Sequence, residues 1–310
     1  MMTKLVNVNG ATIVEQTAHA GTWYAARVSD DVARITVNNI PGVDRYAVNV
    51  TYVNPKTGRA FNRSHRVYLV DFLEYYLNDI DHYNDEDLYK LISDFMRDFL
   101  QNHVFCTGHT GKMYGITSCS TCAACNARCK ARYEAGAENC ICRKCFSFSQ
   151  MSRQKSTRIK YARNTELLTK IRLNWEWIPE ETNNDVFRLE SFGDLNNPLQ
   201  FENYCSIAAA RPAVMHTLWT KNPDIIEKAI EMGTGIPANM IIIYSSPIIN
   251  HVAENMLKRY WFINKLFTVW NSEEAAEKAG YVINCGARDC NICRRCYRFN
   301  SETFIHELLK

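Results

Sequence analysis

The chain has 310 residues and a formal net charge of +3, with 46% hydrophobic and 22% charged residues. This composition is typical of a globular protein with a sizeable core, and the length suits one large domain or two ordinary ones. The longest apolar run, Met240–Ile249, is too short to cross a bilayer, so we predict no membrane span. The N-terminus also lacks the pattern of a secretory signal, so the sequence favours a cytoplasmic protein and says nothing about its oligomeric state.

Eleven of the thirteen cysteines lie in two short windows, which we call the first knot and the second knot. The first knot contains Cys119, Cys122, Cys125, Cys129, Cys140, Cys142 and Cys145, and the second contains Cys285, Cys290, Cys293 and Cys296. Two thiolates at C-x-x-C spacing can chelate one metal ion, and disulfides are rare in a reducing compartment. We therefore interpret all eleven thiols as metal ligands. Their spacing leaves open whether the metal is structural zinc or an iron–sulfur (4Fe-4S) cluster, and which thiols share a site.

The first knot and the residues after it form a basic segment. From position 119 to 163 the chain has ten basic residues against two glutamates, so this window carries +8 and the remainder of the chain −5. A basic lobe of this kind can bind an anion such as nucleic acid, a nucleotide or an anionic cofactor. The alternative is that the cations offset the charge of a thiolate–metal centre or are simply solvated.

Residues 1–105 are predicted to form a small α+β N-terminal domain, and residues 106–310 a cysteine-rich domain. Strands are predicted in the first part at Thr22–Val28, Ala33–Val37 and Tyr46–Tyr52, and helices at Val67–Asn78 and from Asn84 onward. The glycine-rich stretch around His103, Cys106 and His109 is interpreted as a connector rather than as a metal site.

After the first knot, the pattern alternates between short apolar strands and amphipathic helices. Strands are predicted at Val186–Leu189, Val214–Trp219, Met240–Tyr244, Leu266–Val269 and Tyr281–Asn284, with helices between them at Asn164–Asn174, Pro198–Ala210, Pro223–Met232, Ala253–Tyr260 and Glu273–Ala279 and a last helix at Ser301–Leu309. Such alternation predicts a parallel sheet covered by helices, and the strand number suits a partial (β/α) barrel.

Polar residues follow several of these strands, where parallel sheets place their reactive groups. The candidates for a pocket are Ser191, Gly193, Asp194, Lys221, Ser245 and Ser246. For the Gly193-Asp194 pair, the alternative is a β-to-α turn in which the aspartate caps the next helix.

Seven segments of the chain resemble the phage "gene product 88" family. They are CKAR at Cys129–Arg132, CRKCFSFSQ at Cys142–Gln150, NTELL at Asn164–Leu168, FRLESFGDL at Phe187–Leu195, HTLWTKNP at His216–Pro223, IIIYSSPIIN at Ile241–Asn250 and CGARDCNICRRCY at Cys285–Tyr297. The layout is also similar to radical S-adenosylmethionine barrels, although the spacing Cys122-x2-Cys125-x3-Cys129 reverses the usual C-x3-C-x2-C order of those enzymes.

This resemblance implies an open iron–sulfur cluster on Cys129, Cys142 and Cys145, with S-adenosylmethionine as a further cofactor. It also implies that Gly193 lets the cofactor approach the backbone and that Asp194 accepts a hydrogen bond from its amine. We therefore expect an iron–sulfur enzyme that acts on nucleic acid or a nucleotide, with Asp194 and Lys221 as catalytic candidates and Ser191, Gly193, Asp194, Ser245 and Ser246 as cofactor-binding candidates. The alternatives are a zinc-stabilised module that binds nucleic acid or protein without catalysis, and purely structural knots beside an unrelated pocket.

Overall fold

The structure, a computed structural model, describes residues 93–94, 96–109, 111–180, 184–286 and 289–309, together with the backbone of six strands in residues 3–67. The chain divides into two compact units, Met1–Phe99 and Leu100–Lys310, and each is described by itself. The division falls a few residues before the boundary predicted after residue 105, and the domain assignment stays a prediction.

The N-terminal unit contains two antiparallel sheets. Its strands are β1 (Thr3–Val8), β2 (Ala11–Gln16), β3 (Thr22–Ala26), β4 (Val32–Asn39), β5 (Tyr46–Val53) and β6 (Ala60–Val67). Strands β1 and β2 form one hairpin, and β3 to β6 form a four-stranded meander. The three predicted strands overlap β3, β4 and β5. Apart from Val67, which ends β6, the predicted helix at Val67–Asn78 lies outside the described residues. Of the helix predicted from Asn84, only the helical residues at positions 93–94 and 96–99 are described.

The second unit is organised around one seven-stranded sheet. Its strands are β7 (Phe105–Thr107), β8 (Thr117–Cys119), β9 (Val186–Leu189), β10 (Met215–Thr220), β11 (Met240–Ser245), β12 (Lys265–Trp270) and β13 (Phe304–Leu308). They lie in chain order across the sheet; β8 to β13 run parallel, and β7 pairs antiparallel with β8 at one edge. The fold is therefore mixed α/β with a mostly parallel sheet, as predicted, and the sheet is open rather than closed.

Helices and short helical turns connect the strands. The α-helices are α1 (Ala127–Glu134), α2 (Phe146–Arg153), α3 (Lys155–Lys170), α4 (Pro198–Ala209), α5 (Pro223–Glu231), α6 (Asn255–Arg259), α7 (Glu273–Lys278) and α8 (Cys290–Cys293). The 3₁₀ turns are Gly111–Met113, Ile141–Lys144, Trp175–Trp177 and Arg295–Tyr297, and Leu100–Val104 forms a π-helical turn. None of the helices in the described part of the chain has the length and hydrophobicity that a bilayer span requires.

Local sequence explains where several helices begin. The Asn197 side chain accepts the backbone N–H of Gln200, and Pro198 follows at the first helical position, which fixes the start of α4. The hydroxyl of Ser272 caps α7 in the same way by accepting the N–H of Ala275. Strand β11 needs no such signal, because its run MIIIYS is buried along its whole length, as expected for a central parallel strand.

Two predictions of secondary structure at the C-terminus are wrong. The segment Ser301–Leu309 contains strand β13 instead of a helix, because Phe304–Leu308 pairs in parallel with β12 and tertiary pairing overrides a short ambiguous apolar run. Residues Tyr281–Asn284 form no regular strand; they lead irregularly into Cys285, held by hydrogen bonds to His306. The stretch interpreted as a connector near Cys106 also contains strand β7 and, after it, β8.

The second knot packs against one face of the sheet, which we call the knot-covered face. Tyr297 is buried with Ile116 and Val186, and the thiols of Cys290 and Cys296 pack at the edge of that cluster. A neighbouring cluster of Ile241, Ile243 and Ile305 contacts Cys285 and Cys296. The second knot therefore buries apolar surface that an open sheet would otherwise expose.

Candidate functional site

A cavity of about 470 Å³ opens beside the carboxyl ends of the parallel strands. Its volume lies within the range of small-molecule pockets, which is roughly 300–1,000 Å³. The residues that line it include Lys112, Cys129, Cys142, Cys145, Phe146, Arg188, Glu190, Ser191, Phe192, Gly193, Asp194, Trp219, Lys221, Ser245, Cys285, Cys290, Cys296, Tyr297 and Glu307. Both knots contribute thiols to this one cavity, although they are far apart in the sequence.

Three thiols of the first knot line the cavity, and we call Cys129, Cys142 and Cys145 the first thiol set. Cys129 lies in the first turn of α1, which begins where the Asn126 side chain accepts the backbone N–H groups of residues 128 and 129. Cys142 lies in the 3₁₀ turn Ile141–Lys144, and Cys145 follows as the N-cap of α2. Burial raises the pKa of the Cys129 thiol and raises that of Cys142 to about 11, so both are neutral without a bound cation.

Three thiols of the second knot line the same cavity, and we call Cys285, Cys290 and Cys296 the second thiol set. Burial raises the pKa of the Cys296 thiol to about 12 and also raises the pKa values of Cys285 and Cys290. Cys293, the fourth thiol of the knot, contributes no lining surface but interacts electrostatically with all three.

The remaining predicted ligands lie away from the cavity lining. Cys119 is fully buried at the end of β8, where burial raises the pKa of its thiol well above the usual value. Cys122 and Cys125 contact each other: the Cys125 N–H donates to the Cys122 sulfur at 3.2 Å, and the Cys125 thiol lowers the pKa of Cys122 to about 7. Cys140 precedes the 3₁₀ turn and bridges by backbone to Ile248. Their roles as ligands stay predictions.

The described side chains do not form a preassembled metal site: no group of three or more His, Cys, Asp or Glu side chains among them is placed to hold a metal ion. The donor chemistry of the cavity nevertheless fits a thiophilic centre, since each thiol set contributes three cysteines to the lining of one cavity. Metal binding would have to deprotonate these thiols and draw them together.

Asp194 is held by the end of the neighbouring strand rather than by the helix that follows it. Its carboxylate accepts the Thr220 hydroxyl at 2.6 Å and the Lys221 backbone N–H at 3.1 Å, and Arg132 lies 3.7 Å away. The next helix is capped by Asn197, so the alternative of a helix-capping turn at Asp194 is wrong. Asp194 thus ties the β9 loop to the end of β10 at the cavity wall.

Gly193 is required by close packing. A Cβ atom at this position would lie 2.3 Å from the Thr121 hydroxyl oxygen, 2.5 Å from a Glu190 carboxylate oxygen and 2.8 Å from the Thr121 carbonyl oxygen. Close packing therefore explains why a glycine occupies this position, whether or not a cofactor binds. Its predicted role in letting a cofactor approach the backbone stays a prediction.

Glu190 is a site residue that sequence reasoning missed. It follows β9 in a left-handed backbone conformation with φ of 62°, which is strained for a residue with a side chain, and it is only 3% exposed. Its carboxylate accepts the N–H and hydroxyl of Thr121, the amide of Gln200 at 2.6 Å and the hydroxyl of Tyr204 at 2.5 Å. Burial raises the pKa of Glu190 to about 7. The only sequence signal was an acidic residue directly after an apolar strand.

Lys221 lies at the cavity wall beside the first thiol set. Burial lowers its pKa, but Asp194 and the thiols of Cys142, Cys129 and Cys145 together outweigh burial and raise the pKa above its usual value. The lysine therefore carries a positive charge next to the predicted ligands. Its predicted catalytic role is untested, but its position at the end of β10 is the one expected from the sequence.

The three predicted serines have different environments. Ser191 lines the cavity, and its buried hydroxyl oxygen has no hydrogen-bond partner in the described part of the chain. Ser245 also lines the cavity, at the last position of β11. Ser246 instead closes a turn, because its hydroxyl donates to the Ile248 carbonyl at 3.0 Å and accepts the Ile248 N–H.

Arg188 was also missed, because an arginine inside the short strand VFRL gives no functional signal. Its guanidinium carbon lies 3.9 Å from the centre of the Trp219 ring, and the Trp219 ring meets Tyr297 edge-on at 6.2 Å. All three residues line the cavity. A charged group therefore lies among aromatic rings on the knot-covered face.

Comparison with known families agrees with the motifs quoted above. The family model described as Gene product 88 matches residues 90–308. No curated protein and no solved structure matches the chain, so the likeness in layout to radical S-adenosylmethionine barrels stays a prediction. The matched residues include both knots and every strand of the seven-stranded sheet. The chain belongs to the phage Gene product 88 family.

Proposed function

We propose that this phage protein is an iron–sulfur enzyme whose cavity holds a cluster on the first thiol set and receives nucleic acid or a nucleotide. One observation carries the proposal: thiols from two distant knots line one cavity at the carboxyl ends of parallel strands. Reactive groups of (β/α) folds lie at this edge of the sheet. The order of six parallel strands without reversal is compatible with the predicted partial barrel.

A cavity of ligand size beside the thiols favours a catalytic centre over a structural one. Structural zinc is surrounded by four protein ligands and has no free coordination position. A cluster held by Cys129, Cys142 and Cys145 would supply redox chemistry at an iron that stays open, and S-adenosylmethionine is the ligand implied by the resemblance. The protein's own part is to exclude water and to fix the charges around that position.

Lys221, Asp194 and Arg132 are the residues that arrange these charges. Lys221 lies next to the thiols and offsets part of the negative charge they acquire when they bind metal. Asp194, held by Thr220 and the Lys221 backbone, keeps the lysine's strand end in place. Arg132 donates to the Asn222 side chain at 2.6 Å and so connects α1, which presents Cys129, to the end of β10.

The proposed nucleic-acid partner rests on an exposed basic surface beside the first thiol set. Its cations are Arg143, Lys144, Arg153, Lys155 and Arg158, all exposed. Among the described residues, none of these five forms an ion pair. Phe146, which is 66% exposed and also lines the cavity, lies within the same stretch of chain. Unpaired cations beside an exposed ring suit a single-stranded polyanion, whose phosphates bind the cations while a base stacks.

The second candidate function is a zinc-stabilised module that binds nucleic acid or protein without catalysis. It is favoured by the packing of the second thiol set against Tyr297 and Ile305, because a thiol site that closes apolar surface is typical of structural zinc. The two candidates differ in what the first thiol set binds.

The decisive test is the metal and acid-labile sulfide content of protein purified without oxygen. The wild type is compared with the double variant Cys142→Ala/Cys145→Ala and with Cys205→Ala, whose thiol lies in α4 outside the thiol sets. We expect iron and sulfide in about equal amounts, about four of each per cluster, with visible absorption. The double variant should lose the iron and sulfide of one cluster, and Cys205→Ala should keep them.

Zinc without sulfide in the wild type would contradict the enzyme proposal and favour the binding module. Iron and sulfide that persist fully in the double variant would also contradict it, because the cluster would then lie elsewhere. If the cluster is present, S-adenosylmethionine cleavage by the reduced protein is the activity to measure next.

A further inference from the structure

Three cations line the cavity, and their partners differ. Lys112 forms an ion pair with Glu307 at 2.6 Å on the cavity wall. Lys221 has Asp194 and the first thiol set as electrostatic partners. Arg188 forms no ion pair with any carboxylate of the described residues. Among the described residues it is therefore the one cation on the cavity wall without a carboxylate partner, and its electrostatic partners there are the thiols of Cys290 and Cys296.

Arg188 is nevertheless held in a defined position. Its guanidinium stacks on the Trp219 ring at 3.9 Å, and one terminal nitrogen lies 3.4 Å from the Met113 sulfur. Its Nε atom is buried and has no hydrogen-bond partner among the residues that the structure describes. Stacking on an indole fixes the plane of the guanidinium while leaving its N–H edge available to an acceptor. A partly desolvated guanidinium with one buried, unpaired donor is costly unless an anion compensates its charge.

The chemistry of the surrounding wall limits the ligand. Aromatic rings from five different parts of the chain line the cavity: Phe146 with Phe148, Phe192, Trp219, Phe267 and Tyr297. Guanidinium forks bind phosphate oxygens in pairs, and bases stack on aromatic rings whatever their sequence. A planar base joined to a phosphate satisfies both parts of this wall, whereas inorganic phosphate alone would satisfy only Arg188.

We propose that Arg188 is the anion-binding residue of the cavity and holds the phosphate of a nucleoside monophosphate unit whose base packs on the aromatic wall. This rests on the proposed function, since it names the part of the nucleic acid or nucleotide that enters the cavity. Arg188 acts there by binding and orienting the ligand; no bond is made or broken at it.

A competing role for Arg188 is to balance the charge of metal-bound thiolates, because it interacts electrostatically with Cys290 and Cys296. The two roles have different consequences. A ligand-binding arginine controls affinity for the phosphate without changing metal content. A counter-charge controls metal retention at the second thiol set and leaves nucleotide affinity to other residues.

The experiment is isothermal titration calorimetry of the full-length protein, purified without oxygen. The ligands, titrated separately, are deoxyadenosine 5′-monophosphate, deoxyadenosine and inorganic phosphate. Metal content is measured on every sample. The variants are Arg188→Gln, Arg188→Lys and Trp219→Phe. The matched control is Arg172→Gln, an exposed arginine paired with Glu202 and absent from the cavity wall.

We expect the monophosphate to bind more tightly than the nucleoside or phosphate alone. Arg188→Gln should weaken monophosphate binding at least about tenfold with metal content unchanged. The loss of one hydrogen bond to a charged group lowers affinity by about this factor or more. Arg188→Lys and Trp219→Phe should weaken monophosphate binding less, because the first keeps the positive charge and the second keeps an aromatic ring. Arg172→Gln should bind like the wild type.

Three results would overturn the inference: no monophosphate binding by the wild type, equal binding by Arg188→Gln, or loss of metal from Arg188→Gln with nucleotide affinity intact. If Arg188→Gln does not fold, an unchanged affinity in both Arg188→Lys and Trp219→Phe would also overturn it. A wild-type protein that binds the monophosphate through Arg188 but contains no iron or sulfide would refute the enzyme proposal and leave this inference standing.

Discussion

The two thiol sets contain the same ligand atoms, but different forces hold them at the cavity. The first set lies on short helical elements that are positioned by polar side chains: Asn126 caps α1, and Glu190 and Asp194 tie the loops after β8, β9 and β10 together. The second set lies on a segment that packs against apolar residues of the knot-covered face. Polar loops can adjust when a ligand binds, whereas a packed segment resists displacement. This difference favours an open, exchangeable centre at the first set and a fixed one at the second.

Replacing Tyr297 tests whether apolar packing holds the second thiol set at the cavity. Tyr297 is 4% exposed and packs with Ile116, Val186 and Trp219. Tyr297→Ala should lower the free energy of unfolding by about 4 kcal/mol, because it leaves a cavity under the second knot. Urea denaturation measures this change, and Tyr297→Phe is the control that keeps the ring. A loss below about 1 kcal/mol in the alanine variant would show that apolar packing does not hold the second knot.

The next effect tests whether polar side chains position the first thiol set. Glu190→Ala removes the acceptor shared by Thr121, Gln200 and Tyr204 and leaves several buried donors unpaired. We expect a loss of about 3 kcal/mol, since each unsatisfied buried group costs about 1–3 kcal/mol and the neighbours relax in part. The iron content of the proposed cluster should fall more in this variant than in Tyr297→Ala. Equal iron content in the two variants would contradict the view that polar side chains position the first thiol set while apolar packing positions the second.

Much of the fold could be predicted from the sequence, because continuous apolar strands and capped helices are local signals. Strand β9 was predicted with its observed bounds, and β10, β11 and β12 to within a residue at each end. Strand β13 could not be predicted, because its conformation depends on pairing with β12 rather than on its own residues. The short strands β7 and β8 were not predicted for the same reason: their conformation depends on pairing with neighbouring strands.

The site was predictable only where residue type itself carries the chemistry. Clustered cysteines pointed to both knots, and a polar residue after an apolar strand pointed to Asp194 and Lys221. Which thiols face the cavity could not be read from spacing, since that depends on how the second knot folds back onto the sheet. Arg188 and Glu190 were missed because their importance comes from burial and from neighbours that are distant in the sequence.

Gly193, in the loop after β9, packs closely against Thr121 of the first knot. Gly193→Ala places a Cβ atom within 2.8 Å of the Thr121 backbone carbonyl and still closer to two side-chain oxygens. We expect a loss of about 2–3 kcal/mol, because the backbone carbonyl cannot rotate away as a flexible side chain would. Gly235→Ala is the matched control, since a Cβ there would have no atom within 4 Å. Denaturant unfolding of both variants measures the difference; equal stabilities would mean that the loops after β8 and β9 are not tightly packed.

The smallest effect is a pH dependence carried by Glu190. Burial raises the pKa of its carboxyl to about 7 in the folded protein, above the unfolded value of about 4.3. The folded state therefore binds this proton more tightly, so the stabilisation is complete below the unfolded pKa and is lost as pH rises through 7. Relative to Glu190→Gln, which cannot titrate, the wild type should lose about 2 kcal/mol of unfolding free energy between about pH 5 and pH 7. Urea denaturation of both proteins across this range measures the difference. Parallel stability curves would mean that the hydrogen bonds from Thr121, Gln200 and Tyr204 keep Glu190 ionised throughout, and that the loops of the first knot are held by a charge rather than by a neutral carboxyl group.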